Sequence, residues 1–374
     1  MTRQGSIQGS IGMRRVKARK KLVKKIPVWK IIDRKIDELF KLHKVLSDEV
    51  SRLTRSVSKK QKVLVTGGAG FIGSHIVDLL IKKNYDVVVV DNLSSGKKEF
   101  VNKKARFYSV DINSDDLNRI FALEEPDFVV HAAAQISVIK AMEDPKFDAY
   151  NNIVGTINLL EACRKYHVRK IVFLSSSAVY GDPDYLPIDE NHPLKMISPY
   201  GISKHTAEHY LYVYYHNYNI DYVVLRLANV YGPRQGLGRT IGVIPSFIQR
   251  FLEDKPIIIY GDGSQTRDFV FVGDVAEAVV MALERPTIRK IFNLGSQTEV
   301  SVIGLVRRLE KFFNKKAKIE FAPANTGDIK RMVLLIDNIR KELGWKPRTN
   351  FDAGLKMTVE WFKKYKNRQK RKNK

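Results

Sequence analysis

Cysteine is nearly absent from this chain, which has a single one, Cys163, among its 374 residues. One cysteine excludes an internal disulfide framework and predicts a protein of a reducing compartment, here the cytoplasm. Long hydrophobic runs are also missing, and no stretch approaches the roughly 18 apolar residues of a membrane-spanning helix. The N-terminus lacks the apolar segment of a signal peptide. With a hydrophobic content of 44%, the chain can still bury a sizeable core.

Acidic residues are scarce at the two ends of the chain. Residues 1–60 hold 18 Lys or Arg against 5 Asp or Glu, and residues 361–374 hold 8 against none. Residues 61–360 are nearly balanced, with 39 against 35. These two segments, the basic ends, suit an anionic membrane surface or nucleic acid. Solubilising tails without a partner explain them equally well.

The basic N-terminal extension, residues 1–60, also contains a helical pattern that begins at Pro27. Its apolar residues alternate between a and d heptad positions, which is typical of a coiled coil. They are Trp29, Ile32, Ile36, Leu39, Leu46, Val50, Leu53 and Val57, with His43 at the position between Leu39 and Leu46 and with Phe40 and Leu42 broadening the stripe. Self-association of this helix and docking on the body of the chain are equally compatible with the stripe. An interfacial membrane helix ranks third.

A strand, a glycine-rich turn and a helix follow one another at the start of the body. Val63–Val65 is a short aliphatic strand, and Gly67, Gly70 and Gly73 come next in G-x-x-G-x-x-G spacing. In this context the first glycine allows a tight turn, the second lets the backbone approach a pyrophosphate, and the third lets the helix pack closely. The helix N-terminus then directs unpaired N–H groups at the phosphates. The pattern predicts a dinucleotide-binding site.

A carboxylate downstream specifies the dinucleotide. Asp91 ends the apolar run Val87–Val90, at about the separation from the glycines expected for a ribose-binding acid. Its oxygens can accept both ribose hydroxyl protons, and its charge would repel a 2′-phosphate. The sequence therefore predicts NAD rather than NADP as the cofactor.

Strand and helix patterns alternate over residues 61–230. The further strand candidates are Ala105–Val110, Phe128–His131 and Ile171–Ser175, with helices over Asp115–Leu123 and Asn152–Tyr166. The alternation predicts an α/β fold with a doubly wound, Rossmann-like parallel sheet that binds NAD. Residues 231–360 are less regular, and we assign them mainly to a smaller substrate-binding α/β part.

Two side chains suited to proton transfer lie one helical turn apart. Tyr200 and Lys204 are i and i+4, so a helix places them on one face. A neighbouring ammonium lowers the pKa of a tyrosine from about 10 towards neutrality, so Tyr200 can act as a general base. The cluster Ser175–Ser177 ends a strand and can hold the reacting oxygen. Without the dinucleotide motif, a surface Tyr–Lys pair would be the simpler interpretation.

These motifs resemble the extended short-chain dehydrogenase/reductase family over about residues 61–360. Within that family the chain is most similar to NAD-dependent nucleotide-sugar epimerases, in particular the UDP-glucose 4-epimerases. The segments that carry the resemblance are Thr66–Gly73, Asp91–Leu93, His131–Gln135, Ser175–Gly181, Tyr200–Lys204, Leu225–Asn229, Tyr231–Arg234, Arg267–Asp274 and Glu342–Pro347.

The resemblance implies roles for individual residues and implies no metal site. The catalytic group would be Ser176, Tyr200 and Lys204. NAD would contact Gly67, Gly70, Phe71, Ile72, Asp91, Asn92, Asp111, Ile112, Ala132, Ala133, Ala134, Asn152, Tyr200 and Lys204. The UDP-sugar would contact Ser137, Ser176, Asn229, Val243, Tyr260, Arg267, Asp328 and Met332. For Arg267, a surface pairing with Asp268 or Asp274 is the alternative.

The implied reaction is 4-epimerisation of UDP-glucose and UDP-galactose through a transient 4-keto sugar, carried out by a homodimer. Ser177 and Ala178 stand where related dehydratases and decarboxylases carry further acidic groups, so neither reaction is expected. Asn325 stands where the family often has an arginine. UDP-glucuronate or UDP-N-acetylglucosamine as substrate, a reductase, and a non-catalytic NAD-binding scaffold remain alternatives. Because lipid-linked glycan synthesis consumes UDP-sugars, we favour a membrane surface over nucleic acid as the partner of the basic ends.

Overall fold

The computed structural model describes residues 60–236, 242–286, 290–324 and 329–372, together with residues 35, 36, 38, 39, 42, 43, 45 and 46. Those eight residues are helical, and the rest of the predicted heptad stripe lies outside the described residues. The chain divides into two units, Met1–Lys59 and Lys60–Lys374. The second unit contains the twelve strands and the eleven α-helices named below.

The secondary structure of this unit alternates between strands and helices along most of its length. The strands are β1 (Lys62–Thr66), β2 (Asp86–Val90), β3 (Arg106–Tyr108), β4 (Phe128–His131), β5 (Lys170–Ser176), β6 (Asp221–Leu227), β7 (Asn229–Tyr231), β8 (Ile257–Tyr260), β9 (Thr266–Phe271), β10 (Lys290–Leu294), β11 (Glu299–Ser301) and β12 (Ile319–Ala322). The helices are α1 (Phe71–Lys82), α2 (Asp116–Glu124), α3 (Val138–Glu143), α4 (Pro145–Ala149), α5 (Gly155–Lys165), α6 (Pro199–Tyr218), α7 (Val243–Glu253), α8 (Val272–Glu284), α9 (Val302–Phe313), α10 (Asp337–Leu343) and α11 (Phe351–Lys372). One π-helical turn, Tyr150–Val154, joins α4 to α5.

The central sheet has seven strands in the order β3-β2-β1-β4-β5-β6-β10, and all neighbours are parallel. The order reverses between β1 and β4. At such a switch point the connections leave in opposite directions and open a crevice at the carboxyl ends of the strands, where ligands bind. The predicted doubly wound, Rossmann-like α/β fold is confirmed.

Buried aliphatic side chains on both faces of the sheet explain its two helical layers. On one face, Ile76 and Leu80 of α1 pack with Val279 of α8 in the first core cluster. On the other face, Leu117 of α2 and Leu159 of α5 belong to a second cluster. Strands covered on both faces need nearly continuous apolar sequences, as in Val87–Val90.

The C-terminal part of the chain builds a smaller layer and also completes the main sheet. Strands β7, β9 and β11 form one small sheet, and β8 pairs with β12 in another. Their core includes Tyr231, Phe247 and Leu305. Strand β10 lies in the segment that sequence analysis assigned mainly to substrate binding, yet it pairs with β6 in the seven-stranded sheet. Helix α11 continues past residue 360, and its Phe362 is only 1% exposed.

Candidate active site

The glycine turn after β1 forms a backbone cradle at the switch point. Gly67 has a φ of +69°, and a methyl group there would lie 2.7 Å from the backbone nitrogen of Ala133. At Gly73 a methyl group would lie 2.1 Å from the carbonyl oxygen of Gly67, so only glycine lets α1 start this close to the turn. At Gly70 an added methyl would contact only the Gly67 oxygen, at 3.1 Å, and would otherwise project into open space. Phe71 and Ile72 open α1 beside this space, where the N–H groups of the first turn are unpaired.

The predicted NAD-binding residues of β2 and β3 lie along the same edge of the sheet. The buried Asp91 carboxylate accepts hydrogen bonds from the backbone N–H groups of Ala69, at 3.0 Å, and Leu93, at 2.8 Å. Burial raises the pKa of Asp91, and these two hydrogen bonds counteract it. Asn92 donates to Asp111 at 2.7 Å, which brings the ends of these two strands together.

Asp111 and its neighbour Ile112 lie at the outer end of this edge. Burial acts to raise the pKa of Asp111, but hydrogen bonds from Asn113 and Asn92 outweigh it, and the pKa is lowered. Ile112 is buried in the second core cluster. An ionised carboxylate beside an apolar side chain suits an adenosine group.

The segment after β4 closes the inner side of the cradle. The backbone N–H of Ala132 donates to the Thr66 carbonyl, and that of Ala133 donates to the Thr66 hydroxyl, both at 3.2 Å. Ala134 follows directly. Asn152, on the π-helical turn, is buried and accepts from the Gln135 backbone N–H at 2.8 Å. The described residues therefore fit a dinucleotide: the glycine cradle, the N-terminus of α1 and the Asp91 carboxylate, predicted to bind ribose, lie along the same edge of the sheet.

The three predicted catalytic residues meet beside this edge of the sheet. Ser176 is the last residue of β5, and its side chain is hydrogen-bonded to Tyr200 in the first turn of α6. Ser198 caps α6 by accepting from the Gly201 N–H at 3.1 Å, so the position of Tyr200 is fixed at the start of the helix. Lys204 is one turn further on and only 3% exposed, with its Nζ 4.1 Å from the centroid of the Phe173 ring.

The pKa of Tyr200 differs from the sequence-based expectation. Burial raises the pKa of Tyr200 to about 12, the hydrogen bond from Ser176 lowers it, and the charge of Asp148 adds to the rise. Burial lowers the pKa of Lys204 to about 7, while the charges of Glu208 and Asp148 raise it. The pKa of Tyr200 without NAD is therefore raised rather than lowered, and its lowering by Lys204 in the working site stays a prediction. Spacing along a helix shows that two side chains are neighbours. It does not show how deeply they are buried, and burial has the largest effect on both pKa values.

The residues predicted to bind the sugar nucleotide are spread over several elements. Ser137 is buried, and its hydroxyl accepts from the Lys140 N–H at the start of α3. Asn229 begins β7 and is exposed, and Val243 begins α7. These three stay predictions, because their positions alone do not identify a ligand.

Of the remaining predicted substrate residues, Tyr260 and Arg267 lie in the smaller layer. Tyr260 ends β8 and is 42% exposed, and Arg267 lies in β9, where its Nη1 donates to the Thr266 carbonyl at 2.8 Å. Met332 is 5% exposed and packs in the first core cluster. Asp328 and Asn325 lie outside the described residues.

Sequence analysis missed a buried polar network beneath the catalytic residues. Glu208, one turn after Lys204, accepts hydrogen bonds from Arg226 at 2.6 and 3.1 Å and from Ser175 at 2.5 Å. Arg226 also donates to Tyr180 at 3.1 Å. The i, i+4 spacing of Lys204 and Glu208 was visible in the sequence, but the pairing of Glu208 with Arg226 of β6 was not.

Known proteins share this fold and these motifs. The profile of the NAD dependent epimerase/dehydratase family matches residues 63–295. A putative UDP-glucose 4-epimerase of Methanocaldococcus jannaschii is 46% identical over 302 residues, which cover 80% of this chain and 98% of that protein. The crystal structure of Thermotoga maritima UDP-glucose 4-epimerase with UDP-glucose is 41% identical, with a TM-score of 0.80 over 82% of this chain and 99% of that one.

A structure with a different substrate is also similar. The UDP-glucuronic acid 4-epimerase of Bacillus cereus, in complex with UDP-glucuronic acid and NAD, is 33% identical. Its TM-score is 0.76, with coverage of 82% of this chain and 100% of that one. The match of the family profile over most of the chain, together with these identities, shows that this chain belongs to the NAD-dependent epimerase/dehydratase family and uses NAD as its cofactor.

Proposed function

We propose that this chain interconverts UDP-glucose and UDP-galactose through a transient 4-keto sugar. The coarser assignment, an NAD-dependent nucleotide-sugar 4-epimerase, agrees with its family and its relatives. The observation that carries the proposal is the meeting of Ser176, Tyr200 and Lys204 beside the glycine cradle. The sugar itself is chosen because the UDP-glucose 4-epimerases named above have the higher identities.

Each catalytic side chain has one task. Tyr200 removes the proton of the 4-hydroxyl and returns it after the sugar has presented its other face. Ser176 holds the same oxygen through its hydroxyl. Lys204 supplies the positive charge that stabilises the Tyr200 phenolate. The glycine cradle and Asp91 would hold NAD, which would supply reversible hydride transfer at C4, so the cycle would need no external oxidant or reductant.

The polar residues beside this group suit epimerisation better than elimination. Ser177 and Ala178 follow the catalytic serine, and Ser177 is buried in a short turn after β5. Neither side chain can act as an acid or base at neutral pH. Tyr200 is the proton-transfer group of the proposed mechanism, and one such group is sufficient for epimerisation.

A panel of nucleotide sugars tests the proposal. The purified full-length enzyme, without added NAD, is incubated separately with UDP-glucose, UDP-galactose, UDP-glucuronate and UDP-N-acetylglucosamine, and inversion at C4 is followed by proton NMR. We expect inversion of the first pair at the highest kcat/KM. Faster turnover of UDP-glucuronate would replace the proposed substrate, and no inversion of any sugar would favour the non-catalytic scaffold.

We also infer that the enzyme is a homodimer. Five large apolar side chains are exposed on α3, α4, the π-helical turn and α6, elements that contact one another. We take these side chains as one apolar face; they are Ile139, Met142, Phe147, Tyr150 and Tyr212, each between 49% and 61% exposed. An apolar patch on one face of a chain supports association, and a two-fold pairing would bury the same patch on both copies.

The basic ends support a second partner, an anionic membrane surface. None of the helices in the described part of the chain is long and apolar enough to cross a membrane. We infer that contact is electrostatic, through the basic residues within 1–60 and 361–374. We infer a cytoplasmic enzyme that can bind such a surface.

A further inference from the structure

A buried carboxylate lies next to the catalytic residues without a cationic hydrogen-bond partner among the described residues. Asp148 of α4 is 1% exposed. Its Oδ1 accepts hydrogen bonds from Gln135 Nε2 at 2.8 Å and from Asn152 Nδ2 at 3.1 Å. Its Oδ2 is buried and accepts no hydrogen bond from any described residue. Burying a carboxylate that is only half satisfied costs free energy, so this charge needs an explanation.

The hydrogen bonds of Asp148 connect it to the helix that carries the catalytic residues. Asn152 Nδ2 also lies 3.1 Å from Ser203 Oγ, and the Ser203 hydroxyl donates to the Tyr200 carbonyl at 3.0 Å. Ser203 directly precedes Lys204. The carboxylate is therefore held in a defined position relative to Tyr200 and Lys204.

The other charged groups near Lys204 are already neutral or paired. Glu208 of α6 forms its ion pair with Arg226 of β6 at 2.6 Å. His131 of β4 is fully enclosed between Thr66 and Thr156, and burial and Lys204 lower its pKa to about 3, so it is neutral at working pH.

The charged groups on the elements around Asp148 do not neutralise it either. Lys140 and Glu143 of α3 and Asp144 and Lys146 of α4 are exposed to solvent. His205 of α6 lies beside Glu208, with 3.4 Å between Nδ1 and Oε2. Among the described groups, the Lys204 ammonium is thus the cation left to balance Asp148.

We propose that Asp148 is a positioning residue of the active site, whose carboxylate is the counter-charge that keeps the Lys204 ammonium protonated during turnover. The inference rests on the proposed function, in which this ammonium stabilises the Tyr200 phenolate. Asp148 does not touch the reacting atoms. It acts through Lys204 and through the Asn152–Ser203 link to α6.

The proposal predicts the sign of two changes when the charge is removed. The charges of Glu208 and Asp148 both raise the pKa of Lys204, and that of Asp148 also raises the pKa of Tyr200. In Asp148→Asn both pKa values should therefore fall. Activity requires deprotonated Tyr200 and protonated Lys204, so both limbs of the pH profile of kcat should move to lower pH. The two limbs report the coupled pair rather than single residues.

The experiment measures Lys204 directly and activity separately. Lysine is labelled with carbon-13 at Cε in the full-length holoenzyme, and the Lys204 resonance is assigned by its loss in Lys204→Met. We expect the titration midpoint of Lys204 to fall by about one pH unit or more in Asp148→Asn, as for the loss of a nearby opposite charge. Asp144→Asn, a charge removed from the exposed start of the same helix, is the matched control and should leave the midpoint unchanged.

The outcomes separate this inference from the proposed function. An unchanged Lys204 midpoint in Asp148→Asn, or limbs that stay in place while kcat drops, would overturn the role of Asp148 as counter-charge. If Asp148→Asn does not fold, Asp148→Ser removes the same charge with a smaller side chain and the same titration applies. Failure of the parent enzyme to invert any nucleotide sugar would refute the proposed function, but the Lys204 titration would still decide the inference.

Discussion

Tyr200 carries the strongest prediction at the scale of single residues. Tyr200→Phe removes the phenolic oxygen and leaves the ring at the start of α6, so the variant should fold and bind NAD. Because the proton acceptor is lost, kcat should fall at least about 100-fold. Initial-rate kinetics with UDP-galactose measure the loss, and NAD content is read after denaturation.

Tyr218→Phe, at the exposed end of the same helix, is the control and should be as active as the parent. Near-parental turnover by Tyr200→Phe would refute the mechanism.

Met332 is the residue through which we predict the sugar preference. Methionine is large but flexible, so we expect UDP-N-acetylglucosamine to be accepted more slowly than UDP-glucose. Met332→Ser should raise the kcat/KM for UDP-N-acetylglucosamine relative to that for UDP-glucose. The change should stay within the roughly 1–3 kcal/mol of discrimination that a small change in pocket shape provides. The ratio of the two kcat/KM values is the measurement.

The burial of Met332 adds a second expected effect. The residue packs in the first core cluster, and truncating a buried methionine costs about 2–5 kcal/mol. Val333→Ala, at the neighbouring buried position, is the control because it should destabilise the fold and leave the substrate ratio unchanged. If Met332→Ser also lowers stability without changing the ratio, Met332 is a core residue only.

At the scale of elements, the apolar face predicts the assembly state. Met142 and Tyr150 are 61% and 54% exposed in the single chain, so a glutamate at either position disturbs no core packing. We expect the double variant Met142→Glu/Tyr150→Glu to shift from dimer to monomer in sedimentation velocity, because a dimer would bury both charges. Leu123→Glu, on α2 and 71% exposed, is the matched control and should remain dimeric. A monomeric parent enzyme would contradict the prediction at once.

Elements defined by local patterns were predicted well. The run Val63–Val65, the glycines and the following helix lie within β1, its turn and α1, and Phe128–His131 matches β4 at both ends. These patterns depend on neighbours in sequence, which the chain displays directly. The π-helical turn Tyr150–Val154 was predicted in part as α-helix, because one additional residue per turn leaves almost no trace in hydrophobic periodicity.

Features that depend on distant segments could not be predicted. Strand β10 joins β6 across more than sixty intervening residues, and its short sequence does not specify a partner. The same limit applies to the active site. Tyr200 and Lys204 were found by their helical spacing, whereas the burial that sets their pKa values and the approach of Asp148 from α4 depend on packing between elements.

At the scale of the whole molecule, the charge distribution predicts a salt-sensitive interaction. The full-length enzyme should cosediment with vesicles that contain phosphatidylserine, less so at high salt, and not with purely phosphatidylcholine vesicles. The N-terminal contribution is tested by deleting residues 1–59, which form a unit of their own.

The C-terminal contribution needs substitutions rather than a deletion, because α11 continues past residue 360 and Phe362 is buried. Glutamine at Lys364, Arg368, Lys370, Arg371, Lys372 and Lys374 removes six charges and keeps the length of the chain. The N-terminal deletion and the six-glutamine variant should each weaken vesicle binding, because each removed charge near the membrane contributes roughly 1 kcal/mol. The two combined should abolish binding. Epimerase activity in solution should stay the same.

Stronger binding to duplex DNA than to anionic vesicles would identify nucleic acid as the partner. Identical behaviour of parent and variants in both assays would reduce the basic ends to solubilising tails.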